Sequence, residues 1–240
     1  IRDLVRSRGL GDWYKRQVNG TAVVNQPSAN VGDQVVTLTA TINYKDFTDT
    51  KTFAVTVKSL APAEYSFEGD LAELKDAYAS AKPTGDRIDN TGGNATFVEG
   101  IKGQALFLQG SGVRLPNNLI TTNDYSVSMW LKPETFSDYT TAFFAGASSS
   151  TWVSLVPSMV DSNTTRLWAN GGGAFFDNGD LGMRIPAKEW THVAFTVDGS
   201  NGDTLKMYVN GELKIEAGGF PRVFTVEGET NEFALGVNYW

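Results

Sequence analysis

Glu189-Trp190-Thr191-His192-Val193-Ala194-Phe195-Thr196-Val197-Asp198, followed after a polar turn by Leu205-Lys206-Met207-Tyr208-Val209-Asn210-Gly211, carries the clearest structural signal in the chain. Apolar and polar residues alternate through both runs, as they do in strands with one face turned to a core. Gly, Asn and Asp occupy the join, so the pair predicts an antiparallel hairpin within an all-β sandwich.

Further short runs extend this pattern in both directions. They comprise Tyr65–Phe67, Ala105–Leu108, Tyr125–Leu131, Ala142–Ala145, Trp152–Val156, Arg166–Ala169 and Glu232–Leu235, separated by turns rich in Gly, Asn, Asp and Ser. Many short strands with such punctuation form a sandwich or jelly roll. Trp130 and Trp190 are expected in its core, since aromatic residues in strands are usually buried. One helical exception is predicted: Asp70 as cap, with Leu71, Leu74 and Tyr78 on one face, ended by Pro83 and Gly85.

The first 60 residues form a separate unit in this reading, with a linker from Lys58 to Ala63 that contains Pro62. Val36, Leu38, Ala40 and Ile42 alternate with Thr37, Thr39, Thr41 and Asn43; a polar turn over Lys45–Thr50 then leads to Phe53, Val55 and Val57. This predicts a Thr/Val-rich hairpin with one buried face. Upstream, Ile1, Leu4 and Val5 have helical spacing beside Arg2, Arg6 and Arg8, a segment read as a solvated remnant of a preceding module.

Bulk properties narrow the function. A formal charge of −7 and the lack of a clustered Lys/Arg strip argue against a nucleic-acid partner. No apolar run approaches the roughly 20 residues of a membrane span. With no cysteine and one histidine, thiolate zinc sites, a cysteine nucleophile and transition-metal chelation are disfavoured. The chain opens at Ile1 without a leader segment, which predicts a processed piece whose export signal lies upstream.

Four segments in register resemble the laminin-G-like, concanavalin-A-like jelly roll. They are Tyr65–Gly69, Gly103–Gly110, Tyr125–Pro133 and the hairpin quoted above. Gly20–Lys58 resembles the second half of an atrophied bacterial immunoglobulin-like domain. The resemblance implies an all-β chain with a partial immunoglobulin-like β-sandwich over residues 1–60 and a jelly-roll β-sandwich over 61–240. The family's last strand is expected after Phe233–Gly236, and its absence before Trp240 predicts either a continuing chain or another segment that fills the gap. The resemblance also implies a structural calcium held by an early acid, matched by Glu68, with Asp70 and Asn90 as further oxygen donors.

Functionally, the resemblance points to glycan binding. Sugar sites need aromatic platforms and sparse, oriented hydrogen bonders. The candidates are Trp152, Trp168, Asn170, Phe175, Phe176, Asp177, Tyr239 and Trp240, with the glycine-rich run Trp168–Asn178 as the centre of interest. A retaining glycosidase needs two carboxylates about 5–5.5 Å apart. In jelly-roll glucanases these lie on one strand as Glu-x-Asp-x-Glu, a string missing from this sequence. His192 has no serine or acid partner by motif and reads as a strand residue hydrogen-bonded at the sheet face. The reading is therefore a non-catalytic carbohydrate-binding module of a secreted or cell-surface bacterial glycoside hydrolase, of the arabinan- or galactan-active kind. Its expected partners are a polysaccharide or oligosaccharide and neighbouring domains of the same polypeptide. The alternatives are a structural or adhesion module that binds no glycan, and a hydrolase whose acids come from separate strands.

Overall fold

The computed structural model describes residues 6–7, 14–16, 22–24, 33–44, 46–57, 59, 62–224 and 230–240. The chain divides into two compact units, Ile1–Pro62 and Ala63–Trp240. Among the described residues every regular element is a strand.

The first unit contains β1 (Arg6–Ser7), β2 (Tyr14–Arg16), β3 (Ala22–Val24), β4 (Gln34–Tyr44) and β5 (Phe47–Val57). β1, β4 and β5 form one antiparallel sheet, and β2 pairs with β3. The β4–β5 hairpin places Val36 opposite Val55 and Leu38 opposite Phe53, joining apolar residues across the ladder. Two expectations are corrected. The turn is far shorter than Lys45–Thr50, because Tyr44 already pairs with Phe47. Nor is the apolar face sealed, since Phe53 is 47% and Val55 42% exposed while Val57 is buried. The predicted spacing of Ile1, Leu4 and Val5 lies outside the described residues, and Arg6–Ser7 are extended strand.

The second unit contains β6 (Lys82–Thr84), β7 (Thr96–Glu99), β8 (Gln104–Phe107), β9 (Gly112–Leu115), β10 (Asp124–Leu131), β11 (Phe143–Ser148), β12 (Thr151–Val156), β13 (Arg166–Gly171), β14 (Ala174–Phe176), β15 (Thr191–Asp198), β16 (Thr204–Val209), β17 (Glu212–Ala217) and β18 (Glu232–Leu235). Its seven-stranded sheet runs β14-β13-β12-β11-β18-β9-β6, its four-stranded sheet runs β10-β15-β16-β17, and β7 pairs with β8. β18 bonds to β11 on one side and β9 on the other, so no gap opens beside it.

Parity along the strands builds the core. In β15, Val193, Phe195 and Val197 point inward; in β16, Leu205 and Met207 do. They meet Val113, Phe143, Val153, Leu155, Leu167 and Phe233 of the larger sheet. Phe143 and Phe195 touch edge to face at 5.9 Å within this shared core. Burying one such side chain is worth about 1.5–3 kcal/mol. Asn210-Gly211 closes β16 on β17 with φ of 49° and 83°, the left-handed pair that a two-residue hairpin requires.

Four expectations fail in this unit. Trp130 is 47% exposed, because Tyr125, Val127, Met129 and Leu131 take the inward positions of β10 and leave even-numbered residues outside. Trp190 lies just before β15 and is only partly buried, with Lys132 Nζ 5.6 Å from its ring centre. The run from Asp70 turns without becoming a helix, and Tyr65–Phe67 is not paired into a sheet.

That turn is organised by Glu73, which is buried. Its carboxylate accepts the backbone N–H groups of Glu64 at 3.0 Å, Lys75 at 3.1 Å and Ala77 at 2.8 Å. Burial favours the neutral acid, but these bonds and one from Tyr78 outweigh it and hold Glu73 below the ordinary carboxylate range. A side chain that collects backbone donors in this way offers the chain an alternative to helix.

Candidate functional site

The outer face of the seven-stranded sheet, opposite the core, is built from the residues that alternate with the core set. In β13, Leu167 and Ala169 point inward, which turns Arg166, Trp168 and Asn170 outward. In register, Asn170 lies opposite Trp152 of β12 and Phe175 of β14, and Trp168 opposite Ser154. Phe144 and Trp152 carry the row towards Tyr239 and Trp240.

The glycine-rich run is a hairpin. Gly171 pairs with Ala174, so Gly172 and Gly173 alone make the turn, with φ of 70° and 102°. Only glycine adopts such angles freely at both positions. The Gly173 N–H donates to Asn170 Oδ1 at 2.7 Å, fixing the turn and using the amide oxygen internally. This places Phe175 on the outer face and sends Phe176 to the interior, where it meets Phe220 edge to face at 5.0 Å.

A continuous set of rings results. Trp168 and Phe175 stack with centroids 5.2 Å apart, and Tyr139 stacks on Trp168 at 6.1 Å. Trp152 stands edge-on to Trp168 at 4.9 Å and contacts Trp240 at 5.1 Å. Exposure divides the rings into a floor and a surface. Trp152 is 2% exposed and Phe144 is fully buried, whereas Phe175 is 56% and Trp240 47% exposed. Trp152 is anchored further by Nε1 donating to Ser149 O at 3.0 Å. It supports the platform from below and offers no open face.

Charged groups border the rings, gathered around Arg166 at the start of the same strand. Arg166 is buried, and its Nη2 lies 2.6 Å from Asp180 Oδ2 while Nε donates to the same oxygen at 3.1 Å. Asp177 lies 3.3 Å away and Asp161 3.9 Å away, both with exposed carboxylates. For Asp180, burial favours the neutral form, but hydrogen bonds from Arg166, the Gly182 N–H and Thr164, with the Arg166 charge, hold the carboxyl below its ordinary value. An acid held ionised in this way is unsuited to donate a proton to a leaving group. Beyond the rings, Arg114 pairs with Glu232, and Tyr239 donates to Gly146 O at 3.3 Å. Burial, followed by the Glu232 carboxylate, raises the Tyr239 phenol.

The structure thus brings Trp168, Asn170, Phe175, Asp177, Tyr239 and Trp240 to one face, puts Trp152 beneath them and turns Phe176 inward. Sequence reading singled out Tyr139 as an aromatic outside the core pattern but missed Phe144, Arg166 and the part played by Asp180. Arg166 was within reach, because it shares the parity of Trp168 and Asn170.

Glu68, Asp70 and Asn90 lie elsewhere, each engaged within the chain. Glu68 accepts the Gln104 N–H at 2.8 Å, Asp70 accepts the Ala72 N–H at 2.9 Å, and the Asn90 amide donates to Asp86. Among the described residues no three His, Asp or Glu side chains converge as a metal site would need. His192 donates or accepts at Ser128 Oγ, 2.8 Å from its Nε2, on the outer face of the other sheet.

Comparison with known proteins agrees with this architecture. Residues 108–240 match the family described as the concanavalin A-like lectin/glucanases superfamily, and residues 14–60 match the atrophied bacterial Ig domain. Domain 4 of an extracellular GH43 arabinanase from Geobacillus stearothermophilus, solved in complex with arabinotriose, is 42% identical, with 75% of this chain and 84% of that chain covered and a TM-score of 0.69. A carbohydrate-binding module of type CBM66 from Bacillus subtilis is 14% identical, covering 60% of this chain and 89% of that one with a TM-score of 0.35. An SAP-like pentraxin from Limulus polyphemus is 18% identical, covering 51% and 54% with a TM-score of 0.34. No curated protein matches the chain.

Proposed function

The chain belongs to the concanavalin A-like lectin/glucanases superfamily, and from that premise we propose that Ala63–Trp240 is a carbohydrate-binding module acting through the outer face of its seven-stranded sheet. The observation that carries this reading is the ring platform of Trp168, Phe175 and Trp240, seated on Trp152 and Phe144 and bordered by Asp177. Exposed rings match the C–H faces of a sugar, and the flanking carboxylate accepts its hydroxyl protons.

Arabino-oligosaccharides are the first ligands to expect, supported by the complex of the similar domain with arabinotriose. In this reading the module is extracellular and serves a bacterial arabinan-active glycoside hydrolase, raising the local substrate concentration by tethering and performing no bond cleavage itself. The atrophied Ig domain is the spacer that precedes it.

Calorimetric titration with arabinotriose, together with affinity electrophoresis on arabinan, galactan and xylan, tests the proposal. Binding that Trp240→Ala and Phe175→Ala each weaken at least tenfold supports it. A folded protein that no glycan retards has instead a structural or adhesive role.

A further inference from the structure

The outer face of the four-stranded sheet carries a second arrangement of rings and hydroxyls. Parity places Ser128 and Trp130 of β10, His192, Ala194 and Thr196 of β15, and Lys206 and Tyr208 of β16 on that face, since their neighbours Met129, Val193, Phe195 and Met207 enter the core. Across the ladder Ser128, Ala194, Tyr208 and Leu213 form one row, and Trp130 pairs with His192 in the next.

Ala194 is the smallest side chain in this row and is partly exposed. Ser128 and Tyr208 flank it across the ladder and His192 and Thr196 along its own strand, all with longer side chains, so the register sets its methyl group as the low point of a shallow depression. Trp130, 47% exposed, borders it, with its ring 5.1 Å from the His192 imidazole. The Ser128–His192 hydrogen bond of 2.8 Å fixes that imidazole, and Asn210 Oδ1 accepts the backbone N–H of His192 at 2.9 Å.

The cation nearest Ala194 is paired, and two carboxylates of this face, Asp124 and Asp198, stand opposite each other two rows further along, where they bond to Ser200. Lys206 pairs with Glu216 at 3.3 Å and Lys214 with Glu212 at 2.6 Å. The residues around Ala194 are otherwise a neutral mixture of aromatic walls and hydroxyls. A protein hot spot would gather its apolar groups into one wide patch, whereas here Trp130, Tyr208 and the exposed Leu213 are interspersed with Ser128, His192 and Thr196. An uncharged ring with alternating C–H and O–H groups fits it better.

We propose that this depression is a second saccharide site, taking a single neutral sugar unit over Ala194 with Trp130 and Tyr208 as walls. It goes beyond the function proposed above, since it lies on the opposite sheet and shares no residue with the first platform. Sites on opposite faces of one sandwich engage different chain segments, so the module cross-links a polysaccharide and gains affinity through multivalency.

The test is a nuclear magnetic resonance titration of the full chain with a panel of neutral arabino-, galacto- and xylo-oligosaccharides, following every tryptophan indole N–H. Saturable shifts at Trp130 are expected, distinct from those at Trp168 and Trp240. Trp130→Ala and, as a variant that fills the depression and keeps the indole, Ala194→Tyr should each weaken this site at least tenfold and leave the Trp240 shifts unchanged. Wild-type protein should also raise the turbidity of arabinan, and both variants should not. Shifts at Trp240 without any at Trp130 overturn this inference and leave the first reading intact. Shifts at Trp130 alone, abolished by Ala194→Tyr, do the reverse. A panel that moves neither indole overturns both.

Discussion

Trp168 and Phe175 stack with ring centroids 5.2 Å apart and planes 20° from parallel, although they lie on adjacent strands and are not direct cross-strand partners. The contact is diagonal, and it exists because a two-glycine turn brings β14 back tightly against β13. A stacked pair of this kind contributes about 0.5–1.5 kcal/mol beyond its buried area.

Phe175→Ala should therefore cost about 1 kcal/mol of stability, while weakening arabinotriose binding at least tenfold. Chemical denaturation and calorimetry measure the two effects separately. A loss of stability without a loss of affinity removes Phe175 from the binding surface.

Trp152→Ala acts from below. Deleting a buried indole costs about 3–5 kcal/mol, and the rings resting on it, Trp168 and Trp240, lose their seat. Binding should fall even though Trp152 touches no ligand. Trp152→Phe, which retains most of the floor, should recover affinity in part, and no such recovery would contradict the supporting role.

Asp180 gives the module an acid-sensitive brace. Its carboxyl titrates lower in the folded than in the unfolded chain, so its contribution is complete above the unfolded value of 3.8 and is lost as pH falls through the folded value. Asp180→Asn should flatten the decline in unfolding free energy below about pH 4. Equal slopes in the two proteins would rule the brace out. At neutral pH Arg166→Met should be destabilising by about 2–3 kcal/mol, since it leaves a partly buried carboxylate unpaired.

Glu73→Ala should free the backbone donors of Glu64, Lys75 and Ala77 and lower the thermal midpoint. Hydrogen exchange at the amides of Lys75 and Ala77 should accelerate before that of the β15 strand. Unchanged exchange there would mean that water replaces the carboxylate without penalty.

Millimolar calcium should raise the unfolding midpoint above that in chelator where Glu68 and Asp70 hold the ion that the family resemblance implies, since a carboxylate that accepts one backbone N–H keeps lone pairs for a cation. Binding a ligand at 100 times its dissociation constant adds about 2.7 kcal/mol. A rise of several degrees would assign calcium to this region.

The sequence by itself determined the all-β class and the hairpin of β15 and β16, joined across its Gly/Asn/Asp turn. Period-two alternation depends only on which residues avoid water, and the turn depends only on which residues tolerate positive φ. It also marked the glycine-rich run beside Trp168, and period two already held Arg166 and Asn170 on the same side. Three things rested on tertiary structure. Strand parity does not say which of the two faces packs, so Trp130 emerged on the surface where an aromatic strand residue reads as core. The ranking of rings into floor and platform depended on Phe144 and Trp240 arriving from segments distant in sequence. The segment after Asp70 has helical spacing, yet Glu73 gathers backbone N–H groups from both sides of it, and only the folded chain brings those donors within reach of one carboxylate.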